Sequence, residues 1–397
     1  MILVAVGMFI AYIVTFLLMP FIIRVARINK LYDKPDERKT HTYPVSSLGG
    51  VGMIAGLSIS ILLVTDFTVG DSAFQYYLAS FFIIFMLGVI DDLFVLHPLK
   101  KLVGQLLVAL IITTKAHLLI TNLQGLGGFY ELNTASSYLL TFFAVLLIIN
   151  SFNLIDGVDG LAGSLGLASS FFFGLFFYLK GDIDYAILGF SMSGTLMAFL
   201  VFNFPPARIF MGDSGSMLIG LVNAILAIRL IEDGNISSGL TIYSPLALGF
   251  SILLIPLLDV LRVFIIRLTK GASPFAPDRN HIHHLLLNRG FNHTQVTVTM
   301  LISSILLTTV GYFINYLNIN LVSVILTLAF FSGVFVIRFV TTFRPLRIVQ
   351  DKEAVNSKDA KVLMLYGDEL ETTTNSKTKN SPAVETVNIH ASKTKAE

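Results

Sequence analysis

The 397 residues are 54% hydrophobic and only 13% charged, with a mean hydropathy of +0.78. A soluble domain carries roughly 25% charged residues, so an ordinary soluble domain is excluded. The chain has no cysteine, which excludes disulfides and thiolate metal sites, and its net charge of +2 matters less than where the charges fall.

The first stretch, 2–23, is too long for a signal-peptide core and lacks a basic start or a small-residue cleavage site, so it reads as a retained span. A basic loop follows, DKPDERKTHTYPVSSLGG, in which Arg38, Lys39 and His41 stand beside the second span, 47–64. The third span, 74–90, closes on Asp91-Asp92. The helix dipole disfavours a carboxylate at a helix C-terminus by about 0.3–1 kcal/mol. The pair is either a solvated helix end or is compensated by Lys100, Lys101 or a divalent metal. The fourth and fifth spans are 102–120 and 138–153.

The string NSFNLIDGVDGLAG then supplies Asn153, Asp156 and Asp159. On a helix, Asp156 and Asp159 would share a face. They read either as acidic caps or as a site, because unpaired carboxylates near a membrane interior are costly. Spans at 161–179 and 185–202 lead into FNFPPARIFMGDSGS, with Asn203, Phe210 and Asp213. Asp213 precedes the eighth span, 215–231, and reads either as a simple cap or as a metal ligand beside a helix end whose free N–H groups suit a diphosphate. The ninth span, 243–265, carries Asp259 and Arg262, read as a structural ion pair. The longest internal loop holds Arg279, His281, His283 and His284 within six residues. Zinc is one reading, but an Arg in the cluster suits phosphate or sugar better. Spans at 296–314 and 319–339 bring the total to eleven, each expected as a helix.

From 348 to 397 the composition turns polar and predicts a disordered tail following a 1–347 membrane domain. With the N-terminus outside, thirteen loop lysines and arginines fall on one side and only Lys180 on the other. That asymmetry makes the basic side cytoplasmic. Asp91, Asp92, Asp156, Asp159 and Asp213 all fall on it. Several carboxylates without cysteine favour a hard ion such as Mg²⁺, with Mn²⁺ as the alternative, working on a phosphate.

These strings resemble the polyprenyl-phosphate N-acetylhexosamine-1-phosphate transferases, with all five motifs in family order between 33 and about 290; NLIDGVDGLAG and FMGDSGS are the most specific. The resemblance implies an all-α polytopic enzyme of the bacterial plasma membrane whose active site faces the cytoplasm. Its partners would be a UDP-sugar donor and a polyprenyl-phosphate acceptor, with no nucleic acid, and it could pair as a homodimer. It places Asp91 and Asp92 at the lipid phosphate and metal, and Asp213 as the Mg²⁺ ligand. Asn153, Asp156 and Asp159 would line the nucleotide and diphosphate site, with Asn203 nearby and Phe210 on the uracil. Lys39 falls in a loop that carries a functional basic residue. Leu99 occupies the position where the family has a basic residue after the acidic pair, so Lys101 is taken for that role. DRNHIHH resembles the N-acetylglucosamine branch, in which Arg279 and the three histidines would contact sugar and phosphates. The expected reaction moves N-acetylglucosamine-1-phosphate, or a related 2-acetamido sugar-1-phosphate, onto undecaprenyl phosphate and releases UMP. The alternatives are a phospho-N-acetylmuramoyl-pentapeptide transferase or, outside the family, an ion-coupled transporter.

Overall fold

The structure is a computed structural model that describes residues 2–31, 45–65, 73–94, 96–232, 242–271 and 280–339. Arg38, Lys39, His41, Arg279 and the 348–397 tail lie outside them. The apolar runs fold as α1 (Ile2–Ile28), α2 (Gly49–Val64), α3 (Ala73–Phe94) and α4 (Pro98–Thr114). A hairpin, β1 (Asn122–Leu126) and β2 (Phe129–Glu131), leads to α5 (Thr134–Ile155), α6 (Leu161–Lys180), α7 (Ile183–Asn203) and α8 (Gly212–Glu232). Then come α9 (Pro245–Ile252), α10 (Leu254–Thr269), α11 (Ile282–Asn288), α12 (His293–Ile314) and α13 (Ile319–Phe339).

Each of the eleven expected stretches contains a helix, but fewer qualify as spans. Eight helices are long and apolar enough to cross a bilayer singly, and the α9–α10 pair makes nine if counted as one bent span. α2 has 16 residues. At about 1.5 Å per residue it falls short of a hydrocarbon core of about 30 Å. α4 has 17 residues and carries Lys100 and Lys101 in its first turn. Lys101 is thus a helix residue rather than a loop residue. Lys115 caps the other end of α4 and joins Lys180 on the side away from the basic loops.

α9 and α10 meet at 74°. Pro256 explains the break, because it has no N–H for the carbonyl of Ile252, the last residue of α9, and its ring crowds that carbonyl. The hairpin turns through Gly127 and Gly128, both at positive φ (62° and 86°), the backbone a two-residue connection requires. It is tied down by Glu232, which accepts from Thr121 N at 2.7 Å and Thr121 Oγ1 at 2.9 Å.

The centre of the bundle is α8. Of its apolar stretch 94% is buried inside the protein, against 22% for α13. α8 packs on α2, α3, α5, α6, α7 and α9, whereas α1, α12 and α13 turn large apolar side chains such as Phe9, Phe21, Leu306 and Phe335 outward. An exposed apolar rim around a buried centre is what a polytopic membrane protein presents to lipid. Gly88 lets α3 lie directly on α8, since a Cβ there would stand 2.3 Å from Ser214 Cα. Side-chain and backbone bonds join the C-terminal ends of α3, α5 and α7 to the N-terminal ends of α2, α4, α6, α8 and α12 at one end of the bundle.

Candidate active site

That end is organised by the start of α8. A helix N-terminus leaves N–H groups without intrahelical partners. Here α3, not α8 itself, supplies the cap. Asp92 Oδ1 accepts from Asp213 N at 2.7 Å, and Oδ2 accepts from Ser214 N at 3.2 Å and Ser214 Oγ at 2.8 Å. Both Asp92 oxygens are therefore committed to holding α8. The sequence reading gives Asp92 to metal and catalysis; in this fold its carboxylate caps the start of α8, beside Asp213. The segment before α8 is clamped by the start of α2 and the residues just ahead of it: Phe210 N donates to Ser46 O at 2.7 Å, and Gly49 N and Gly50 N donate to Phe210 O and Met211 O at 3.0 and 3.1 Å. Gly212 sits between the clamps at φ 71°, and a Cβ would stand 2.2 Å from Ser47 O and 2.6 Å from Asp92 Oδ2. Gly212→Ala should cost more than the about 1–2 kcal/mol of left-handed backbone alone. The check is a drop of several degrees in the unfolding midpoint of the detergent-solubilised protein.

Asp213, fixed on the first turn of α8, faces Lys101. The Lys101 ammonium lies 2.6 Å from Asp213 Oδ2, 3.0 Å from Asp91 Oδ2 and 2.9 Å from Asn153 Oδ1. Asn153 Nδ2 donates to Asp213 Oδ1 at 2.7 Å and approaches Ser216 Oγ at 3.0 Å. The other Asp91 oxygen accepts from Leu96 N at 2.6 Å. Four helices (α3, α4, α5 and α8) thus bring Asp91, Lys101, Asn153 and Asp213 to one point. Ser216 was missed from sequence, although it stands three residues after Asp213 and a helix places such residues on one face.

Asp156 and Asp159 do not share a helix face. α5 ends at Ile155 and α6 starts at Leu161, so both lie in the connecting turn. Asp159 is buried, accepts from Ala207 N at 3.3 Å, lies 3.4 Å from His293 Nδ1, and its carbonyl accepts from Thr297 Oγ1 at 2.8 Å. His293 and Thr297, on α12, have no local sequence signal because the contact spans more than 130 residues. Asp156 makes no side-chain hydrogen bond among the described residues. Burial, with Asp213, Asp92 and Asp159 nearby, pushes its carboxyl up to about 8. Asn203, expected beside the nucleotide and diphosphate site, lies between Gly160 and Ile209. It is buried, its Oδ1 accepts from Gly160 N at 2.9 Å, and its Nδ2 donates to Ile209 O at 2.8 Å. Its amide is spent on holding the two motif loops together. Phe210 is half-buried at the rim.

Part of the expected long loop is helix α11. Asp259 anchors it: Asp259 Oδ1 accepts from Ile282 N at 3.0 Å and from Arg262 at 2.9 Å, and Oδ2 lies 2.9 Å from His281 Nδ1. The ion pair read from sequence is therefore also a loop anchor, and His281 belongs to it. His283 stacks on His281 and packs over the motif turn, its Nε2 only 2.8 Å from where a Gly157 Cβ would be. Its ring centroid lies 4.3 Å from that of His284. Burial, then the neighbouring His284 and His281, lowers the His283 pKa to about 3. The unfolded chain protonates this ring near pH 6.5 and the folded chain does not, so stability falls as pH drops from about 6.5 to about 3. Unfolding midpoints across that window should fall less steeply for His283→Phe than for the unaltered chain.

Asp91 and Asp213 flank the Lys101 ammonium, and Asp92 and Asp156 lie close to Asp213, so four carboxyl groups gather around the start of α8. Among the described residues no three His, Asp or Glu side chains converge as a ready metal cage. Mg²⁺ needs less than that, since it usually takes one or two carboxylates and completes its shell with water and phosphate oxygens. Asp156 offers carboxylate oxygens with no side-chain hydrogen bond among the described residues, and Asp213 would join it by exchanging its contact with Lys101 or Asn153 for the ion.

Fold and site together define a polytopic membrane protein with an acidic, lysine-centred cluster at one end, suited to phosphate chemistry. The description "Glycosyl transferase family 4" matches residues 74–231. A Yersinia pestis protein named undecaprenyl-phosphate alpha-N-acetylglucosaminyl 1-phosphate transferase is 33% identical over 71% of this chain and 76% of its own length. Its Escherichia coli K12 namesake is 31% identical over 77% of this chain and 82% of its own. The decaprenyl-phosphate N-acetylglucosaminephosphotransferase of Mycobacterium tuberculosis H37Rv is 34% identical over 66% and 70%. The chain belongs to glycosyl transferase family 4.

Proposed function

We propose that the protein transfers N-acetylglucosamine-1-phosphate from UDP-N-acetylglucosamine to undecaprenyl phosphate and releases UMP, at the cytoplasmic face of the bacterial plasma membrane. The observation that carries this reading is the convergence of Asp91, Lys101, Asn153 and Asp213 from four helices, in a chain whose relatives bear that activity in their names. The cytoplasmic side is supported by the basic residues Arg24, Arg27, Lys100, Arg208, Arg267, Lys270 and Arg289 in the loops and helix ends on the site's side of the chain.

The chemistry follows from the charges. An oxygen of the lipid phosphate attacks the β-phosphorus of the nucleotide sugar, the bond from that phosphorus to the bridging oxygen breaks, and UMP departs with the electron pair. Two anions must meet in a pocket that is itself acidic. Lys101 supplies a fixed positive charge beside the attacking phosphate. Asp156 and Asp213 would hold Mg²⁺, which when bound neutralises the diphosphate. Asp91 holds Lys101 in place, and its carboxylate would accept a proton from the lipid phosphate. Asp92 and Asn203 hold α8 and the motif turns. The His281–His284 segment closes over Gly157 from above, where the sugar of the donor would lie.

Purified protein should convert labelled UDP-N-acetylglucosamine and undecaprenyl phosphate to a lipid-linked sugar and UMP in equal amounts, and lose this with EDTA. Related UDP-2-acetamido sugars, run in parallel, define the donor. Failure to form lipid-linked product from any of them, or gradient-driven uptake without UMP, would overturn the assignment.

A further inference from the structure

One turn deeper in the bundle the site is repeated in uncharged form. Gln105 follows Lys101 by one turn of α4, Asn150 precedes Asn153 by one turn of α5, and Met217 follows Asp213 by one turn of α8. The contacts repeat as well. Asn150 Nδ2 donates to Gln105 Oε1 at 2.9 Å, and Gln105 Nε2 reaches back to Asn150 Oδ1 at 3.4 Å and to Met217 Sδ at 3.6 Å. Gln105 is 1% exposed, among apolar neighbours. A carboxamide there is costly unless its partner is met with the right geometry. The pairing therefore tolerates one axial and rotational register of α4 against α5. A slip of either helix would break both bonds and move the Lys101 ammonium off Asn153 and Asp213 together.

We infer that Gln105 and Asn150 are positioning residues for the transfer reaction, acting through Lys101 and Asn153. They form a register lock that fixes the lysine between Asp91 and Asp213. Neither touches substrate, so nucleotide-sugar binding is largely left alone and the chemical step bears the loss. The turnover arm of this inference rests on the proposed reaction, while the placement of Lys101 does not.

Two measurements on the full-length protein separate the two. In the first, reductive methylation of Lys101 is followed by mass spectrometry without substrates. Gln105→Leu and Asn150→Leu should each speed modification of Lys101 at least fivefold, with other lysines unchanged. An unchanged Lys101 rate in folded variants overturns the lock, whatever the protein's reaction is. In the second, kcat and KM are measured with UDP-N-acetylglucosamine and undecaprenyl phosphate. Each Leu variant should lose ten- to a hundredfold in kcat, with KM for the nucleotide sugar within twofold. The double Leu variant should lose no more than either single one, because one interaction is removed only once. The exchanged pair Gln105→Asn with Asn150→Gln keeps both amides and their summed length, and should recover most of the loss. Additive losses, or an exchanged pair no better than the Leu variants, overturn the lock. No turnover in the unaltered protein sinks the transferase reading and leaves the methylation result standing.

Discussion

Lys101→Met should lower turnover by roughly a hundred- to a thousandfold while the protein still inserts and purifies as a folded species. The side chain is mostly enclosed (14% exposed) and contacts Asp91 (9%) and Asp213 (33%) at 3.0 and 2.6 Å. Removing one preorganised group that meets the charge developing in the transition state costs about 3–4 kcal/mol, and about 1.4 kcal/mol is a factor of ten in rate. Part of that cost is discounted because Asp213 keeps some access to water. Met keeps the length and apolar stem but not the charge, so Asp91 and Asp213 are left to repel each other. Lys101→Arg is the control: a planar fork cannot place one point charge between three oxygens, and it should recover only part of the rate. Transfer assays in detergent, with insertion checked by membrane fractionation, decide the matter. Activity within tenfold of the unaltered protein in Lys101→Met would remove the lysine from the mechanism.

Asp156→Asn should do two things in opposite directions. It should abolish most transfer, and it should make the metal-free protein more stable. Burial and the charges of Asp213, Asp92 and Asp159 push the Asp156 carboxyl up to about 8. The folded chain therefore holds a proton there that the unfolded chain gives up near pH 3.9. Between those values the folded state binds more protons, so stability falls as pH rises through the window. Asn carries no such charge and should flatten that slope. The measurement is the unfolding midpoint with EDTA at pH 5, 6, 7 and 8. A gain growing with pH is the expected result, and a loss of stability at pH 7 would show that Asp156 has a partner holding its charge. Activity sacrificed for stability at one residue is a mark of strain kept for function.

Much of this was legible in the residues. The apolar runs locate every long helix, and the acidic pair and GDS string fall at the end of α3 and the start of α8 as read. Two fold features had signals that length alone concealed. Gly127-Gly128 marks the hairpin turn, and Pro256 marks the break in what looked like one continuous span. The division of labour inside the site was not legible. Nothing in GVIDDLF says that Asp92 caps a helix more than a hundred residues away while Asp91 holds Lys101. Asn203 looks like a ligand from its neighbours, and only the meeting of two motif loops shows its amide consumed by backbone. A local string records which side chains are polar, whereas their partners are set by the crossing of helices.

The cap that α3 places on α8 also limits how such a sequence can change. One residue inserted between Gly88 and Asp92 would turn the acidic pair about 100° around its axis and leave the start of α8 without acceptors. These two segments can drift only in concert, and a chimera that imports one must import the other. The segment from His281 to His284 is held instead by Asp259 and by the packing of α11 on α12 and α13, and meets the motif turn at Gly157, so it can be exchanged for a different sugar without altering the cap between α3 and α8.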